Sequence, residues 1–245
     1  MAGKYQSGPK FVTPRAPSIW PNLNTPDTKH NADGVYDCKQ ELQLDDPIVQ
    51  KIKAKATEIA QAEYDRIMEE NPSFLTEEAY DAKVAELKAA KKDRLIEKLK
   101  VLKFVEPLRP EIDDDGEETG TVILKAKRKA SGVYKSGPKT GQRWEARVNI
   151  FNNKGVQLKN PPKIGGGSEV KMSIELRPYY VASTGEVGCS FNLEAVQLLT
   201  LVQFGQRDAA GYGFGAEDGD DLDDDIGGGG FSDETGGAAD DDDDL

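Results

Sequence analysis

A chain of 245 residues with 37% apolar content can bury the core of one substantial domain or two small ones. Its net charge of −12 is confined to one end: residues 208–245 hold 15 acids and no Lys or Arg, while residues 1–207 hold 29 acids against 32 bases. One His and two Cys exclude a His-based triad or a zinc cluster, and the absence of a signal peptide or of an apolar run near the length of about 18 residues that spans a membrane predicts a soluble intracellular protein.

Residues 1–33 carry Pro9, Pro14, Pro17, Pro21 and Pro26, and proline fixes φ and removes a donor, so this stretch reads as an extended arm bearing Phe11 and Trp20. From Val35 to Leu44 the residues Tyr36, Cys38, Leu42 and Leu44 share a parity, which predicts a first strand. Asp45-Asp46-Pro47 ends it and opens a helix, through side-chain capping and the preset φ of proline at the first helical position. Ile48, Ile52, Ile59 and Ile67 follow at helical spacing up to Asn71-Pro72. Thr76 with Glu77 and Glu78 starts a second helix, with Tyr80, Val84, Leu87, Leu95 and Leu99 recurring through about Lys103. The pair is read as a helical insertion over 47–103.

Glu111 to Gly116 has the look of a calcium loop, but with Glu111, Asp113 and Asp115 as its first ligands the bidentate position falls on Val122, so the stretch is a solvated turn. From Thr121 alternation returns, with Val122, Leu124 and Ala126 on one face and Lys125, Lys127 and Lys129 on the other. A partner strand is predicted with Trp144, Ala146, Val148 and Ile150 in the core and Arg143, Glu145, Arg147 and Asn149 outward. Between them Ala130 to Gly141 is a flexible loop bearing Tyr134, Lys135 and Lys139, of a length and charge to lie over a bound strand. From Thr121 to Arg177 there are 13 bases and three acids, a basic face concealed by the acidic end.

Gly165-Gly166-Gly167-Ser168 lacks the Lys-Ser/Thr of a phosphate loop and precedes a strand, so it is a tight turn. The strand after it buries Val170, Met172, Ile174 and Leu176 and exposes Lys171, Ser173, Glu175 and Arg177. A second, after Ser183-Thr184-Gly185, buries Val187, Cys189, Phe191 and Leu193, and its parity slips beyond Ala195 as at a bulge. Cys38 and Cys189 fall on apolar faces and are read as buried free thiols. Past Phe204 the low apolar content and single-sign charge cannot offset ordering entropy, which predicts disorder.

The GGGS turn, the alternating basic strand ending in Pro178-Tyr179 and the closing strand together resemble the single-stranded DNA-binding proteins of T7-like phages. Gly34-Val35-Tyr36, Asp46-Pro47 and the acidic C-terminus extend the likeness to about two-thirds of the chain. The resemblance implies a mainly β fold: a five-stranded OB-fold barrel over 34–207 with the inserted pair of α-helices, and a disordered acidic tail over 208–245. It implies single-stranded DNA as ligand, Tyr179 as a stacking ring and Lys127 as a basic contact, with Lys129 where the family has a further aromatic and Tyr180 where it has a lysine. The remaining candidate contacts are Lys125, Lys135, Lys139, Arg143, Arg147, Lys171 and Arg177. The tail residues Asp240, Asp241, Asp242, Asp243, Asp244 and Leu245 would face phage DNA polymerase and primase-helicase, with Leu245 in place of the family's terminal aromatic. A homodimer in the cytoplasm of an infected bacterial host completes the expectation, with no enzymatic activity, metal or cofactor. The helix after Thr76 has no counterpart in the family. The reading from a different class is an acidic-tailed scaffold or chaperone whose helical pair meets protein.

Overall fold

The computed structural model describes residues 8–203. The chain divides into two units, Met1–Gln206 and Arg207–Leu245; the second unit lies outside the described residues, and with it the expected disordered tail and its Asp240 to Leu245 terminus. In chain order the first unit comprises β1 (Lys10–Val12), β2 (Ala16–Asp27), β3 (Val35–Gln43), helix α1 (Pro47–Glu70), β4 (Phe74–Leu75) and helix α2 (Glu77–Ala89). A 3-10 helix (Asp93–Lys98) leads to β5 (Lys100–Val101), β6 (Lys103–Phe104), β7 (Pro110–Ile112) and β8 (Glu118–Lys129). Then come β9 (Ser131–Val133), β10 (Arg143–Glu145), β11 (Asn149–Phe151), β12 (Glu169–Val181) and β13 (Glu186–Thr200).

The described residues are mainly β, and nine of their strands share one sheet in the order β1-β12-β2-β3-β8-β13-β11, with β7 added beside β8 and β6 beside β13. β12 and β13 also pair directly along the whole of β12, as an antiparallel hairpin. The strands β12, β2, β3, β8 and β13 thus follow one another in a circuit, but two of its joins consist of two residue pairs each: Ala16 and Pro17 with Val170 and Glu169, and Ala126 and Lys127 with Phe191 and Asn192. The expected five-stranded barrel is therefore not closed by a continuous ladder.

Alternation predicts the core strands closely, because each has one face against the core. Val122, Leu124 and Ala126 on β8 and Val170, Met172, Ile174 and Leu176 on β12 are fully buried. The parity slip of β13 falls at Glu194, where Ser173 pairs with Ala195 and Ile174 with Leu193, leaving Glu194 as the extra residue of a bulge. At the thin β2–β12 join, side chains substitute for the missing ladder. The fully buried Gln40 amide donates to the carbonyls of Ala16 (3.2 Å) and Val170 (2.7 Å), and its oxygen accepts from the Thr13 hydroxyl at 2.7 Å. Nearby, hydrogen bonds from Arg15 and Thr200 hold the Glu169 carboxyl below the usual carboxylate range.

Four expectations are corrected. Residues 10–12 and 16–27 belong to strands of the sheet, where the prolines of this stretch pointed to a separate arm over 1–33. Pro17 and Pro21 are tolerated because β2 has few ladder bonds: its register to β3 shifts between Ile19 and Asn22, and the left-handed φ of Trp20, +45°, lies in that irregular stretch. The second helix stops at Ala89 rather than continuing to Lys103. Lys91 adopts a left-handed φ of +54°, with its N–H bonded to the Lys88 carbonyl and that of Lys92 to Leu87, a Schellman termination. Only Leu87 of α2 is buried, so packing gives the longer helix no support. The strand expected to pair with β8 is divided, with β10 joining β9 in a separate hairpin and β11 running parallel to β13. Finally, the start of the expected loop 130–141 is β9 itself.

Helix α1 begins as its sequence dictates. Asp46 accepts hydrogen bonds from the N–H groups of Ile48 (2.7 Å) and Val49 (3.3 Å), and Pro47 supplies the first turn. Capping of this kind stabilises a helix by about 1 kcal/mol. Val49, Ile52, Ala56 and Ala60 join the main core, and the alanines allow close approach to the β12–β13 pair.

Candidate nucleic-acid interface

Because Val122, Leu124 and Ala126 point into the core, strand geometry leaves Lys125, Lys127 and Lys129 on the outer face of β8. β13 lies beside β8, and β12 beyond it brings Arg177 and Tyr179 opposite Ser190 and Gly188. The β9–β10 hairpin follows directly on β8. Together these elements wall an open cavity of about 780 Å³ lined by Lys125, Lys127, Arg128, Lys129, Trp144, Arg177, Tyr179 and Phe191 among others.

The cations differ in how far they are engaged. Lys125 Nζ lies 3.2 Å from Asp37 Oδ2, whereas Lys127 and Lys129 are exposed and form no ion pair among the described residues. Arg177 donates through Nε (3.1 Å) and Nη2 (2.5 Å) to Glu175. Glu175 was expected outward in solvent; it is instead buried, because the backbone at Gly8 covers it and donates to its carboxylate at 2.7 Å. A charge buried this way requires such partners, and its grip fixes the Arg177 fork in the groove wall.

Arg128 occupies the next interior parity after Ala126, a position that suits an apolar residue, so sequence alternation gave no reason to place it in the groove. Its Nη1 donates to the Leu193 carbonyl at 3.3 Å and lies 3.6 Å from Glu194 Oε1, while its buried Nε has no partner among the described residues.

Of the three rings that line this cavity, Tyr179 and Trp144 each lie across a glycine on the neighbouring strand, whereas Phe191, expected inside, is partly buried against the core. A Cβ on Gly188 would stand 2.7 Å from the Tyr179 hydroxyl and 2.9 Å from its ring carbons. A Cβ on Gly132 would stand 2.8 Å from Cζ2 of Trp144, the residue paired with Gly132 across the hairpin. Trp144 was expected in the core; counting back by twos from Ile150 failed because the chain leaves strand geometry between β10 and β11. Glycine within a strand marks close approach, and Gly132 was the available signal. Burial, with Glu186 nearby, pushes the Tyr179 phenol up, and burial raises the Cys189 thiol to about 11, so both remain neutral near physiological pH.

Other candidates fall elsewhere. Arg143 and Arg147 line an adjoining cavity of about 540 Å³, with Arg143 Nη2 2.7 Å from Ser131 Oγ and 3.6 Å from Asp33. Lys135 and Lys139 are exposed on the hairpin turn, and Lys139 Nζ lies 5.8 Å from the Tyr134 ring. Tyr180 takes the face opposite Tyr179 and packs edge-on against Phe74 at 6.3 Å between centroids. Lys171 lies beyond the bulge and does not line the groove.

Phosphates can be met here by ammonium groups that form no ion pair among the described residues, and bases by rings on a rigid sheet. Among the described residues no cluster of three or more His, Cys, Asp or Glu is placed to hold a metal ion, and no helix is long and apolar enough to cross a membrane.

Residues 16–201 match the sequence profile of a family described as single-stranded DNA-binding protein, bacteriophage T7. Among solved structures, gp2.5, a single-stranded DNA-binding protein encoded by bacteriophage T7, aligns with 23% identity over 89% of this chain and 100% of that one, at a TM-score of 0.50. A single-stranded DNA-binding protein of bacteriophage Enc34, solved in complex with single-stranded DNA, aligns with 16% identity over 83% of this chain and 97% of that one, at a TM-score of 0.42. No curated protein matches the sequence.

Proposed function

The chain belongs to the single-stranded DNA-binding protein family of bacteriophage T7, a family of binders and not of enzymes, and from that premise we propose that it coats single-stranded DNA in phage replication and recombination. The observation that carries the assignment of the site is the coincidence, in one groove, of the Tyr179 ring with Lys127 and Lys129, which form no ion pair among the described residues. Phosphates run along the lysines, with Lys125 and Arg177 at the flanks. A base stacks on Tyr179. Since every base has a π-face and no base-edge code is required, binding is largely independent of sequence. Lys135 and Lys139 reach over the strand from the hairpin turn, and Arg143 and Arg147 extend the cationic path; Lys171 and Tyr180 lie outside it. The pairing circuit of β2, β3, β8, β13 and β12 supports reading these five strands as an OB-fold barrel.

Titration of oligo-dT at several salt concentrations tests this reading. The expected result is a log affinity that falls with log salt by about 0.7 per phosphate contact. A flat response, or preference for duplex, overturns it.

The proposal includes the tail. Residues 208–245 bear 15 acids and no base, and a tethered anion acts at an effective concentration on the order of mM. The tail competes with DNA for the groove, and Asp240 to Leu245 meet the phage polymerase and primase-helicase. Deleting 208–245 strengthens oligo-dT binding at low salt and abolishes polymerase pull-down; equal results before and after deletion refute the regulatory role. Sedimentation of the same two proteins tests the homodimer.

A further inference from the structure

We infer that Trp144 is a second stacking platform for an unpaired base, held in place by Gly132, and that the β9–β10 hairpin presents it to the bound strand. The inference rests on the groove being the single-strand site.

Three observations converge. Trp144 is half-buried and lines the same cavity as Tyr179, Lys127 and Lys129. Its indole is seated on Gly132, whose missing side chain lets the ring lie against the strand: an added Cβ would come within 2.8 Å of Cζ2, 3.0 Å of Cε2 and 3.1 Å of Nε1. Real side chains do not approach so closely, so glycine is a steric condition for this ring position. The hairpin is also fastened at its base. The Ala146 N–H donates to the Ala130 carbonyl at 2.7 Å, the Ala130 N–H to Gly34 at 2.9 Å, and the Ser131 hydroxyl to the Asp33 carbonyl at 2.8 Å. An aromatic ring held against a fastened hairpin loses little freedom when a base stacks on it. The arrangement repeats that of Tyr179 on Gly188 across the groove, so two rings on two different elements address one cavity.

The chain has two tryptophans, Trp20 and Trp144, which makes the ring observable. In the full-length Trp20→Phe protein, emission comes from Trp144 alone, and saturation with oligo-dT is expected to quench it. Trp144→Ala is expected to weaken oligo-dT binding about 5- to 150-fold, while Trp144→Phe, which keeps a ring, retains most of it. Gly132→Ala is expected to diminish the quench at saturation, with circular dichroism reporting that the fold persists. Unchanged emission from a Trp20→Phe protein saturated with oligo-dT, as judged by a parallel mobility shift, overturns the inference, as does wild-type affinity in a folded Trp144→Ala protein. Failure of the wild-type chain to shift oligo-dT at all refutes instead the assignment of the groove.

Discussion

Gly188→Ala tests the mechanism of the groove with the smallest available change. The new Cβ would sit 2.7 Å from the Tyr179 hydroxyl and 2.9 Å from two ring carbons, against a comfortable carbon–carbon separation of about 3.5–4.0 Å. The ring must therefore move outward by roughly 1 Å. In a closed core such overpacking costs about 1–3 kcal/mol, but Tyr179 is only half-buried and its outer side is open groove. It yields by turning out, and the melting temperature should change little. The effect should appear in binding, because a tilted ring forfeits part of a stacking contact worth about 1–3 kcal/mol. A loss of about 1 kcal/mol, near fivefold in Kd, is expected by fluorescence anisotropy with labelled oligo-dT. The double variant Gly188→Ala/Tyr179→Ala should bind no more weakly than Tyr179→Ala alone, since the glycine acts through the ring. If Gly188→Ala weakens binding as much without the ring as with it, the seat has been misread.

Three further outcomes are expected. Lys127→Gln and Lys129→Gln should each reduce the slope of log affinity against log salt by about 0.7 while leaving the melting temperature unchanged; a drop in affinity with unaltered slope would mean that neither meets a phosphate. Gln40→Leu should destabilise the fold by at least about 2 kcal/mol in urea unfolding, because it removes the two hydrogen bonds that the buried amide donates at the thin β2–β12 join and leaves the buried Thr13 hydroxyl without its acceptor, and wild-type stability would refute that reading of the join. Burial raises the Cys38 thiol from 9.0 to about 12, so above the unfolded pKa the unfolded chain ionises first and the wild type loses stability as pH rises from about 9 toward 12. Relative to pH 8, the wild type at pH 10 should lose on the order of 1 kcal/mol that Cys38→Ala does not; parallel pH curves for the two proteins would count against a buried thiol.

Local chemistry by itself determined the strands with one buried face, the Asp46-Pro47 helix start and the cationic row Lys125, Lys127 and Lys129. In each case the signal and its physical cause lie within a few residues: a period of two, a capping side chain, a preset φ. Tertiary structure decided the remainder. Residues 16–27 became a sheet strand in spite of their prolines, because β3 and β12 supply partners that composition cannot register. Glu175 became buried, and Arg177 thereby oriented, because backbone from Gly8, 167 residues away in sequence, closes over it. Trp144 has the composition of a core residue and the position of a groove residue. What separates the two is Gly132 across the hairpin, together with the irregular link between β10 and β11, and neither enters a count of alternating residues. The groove itself joins β8, β12, β13 and the hairpin, elements brought together by pairings such as Phe191 with Ala126. Long-range pairing depends on what each strand finds as a neighbour, and that is a property of the whole fold rather than of any single segment.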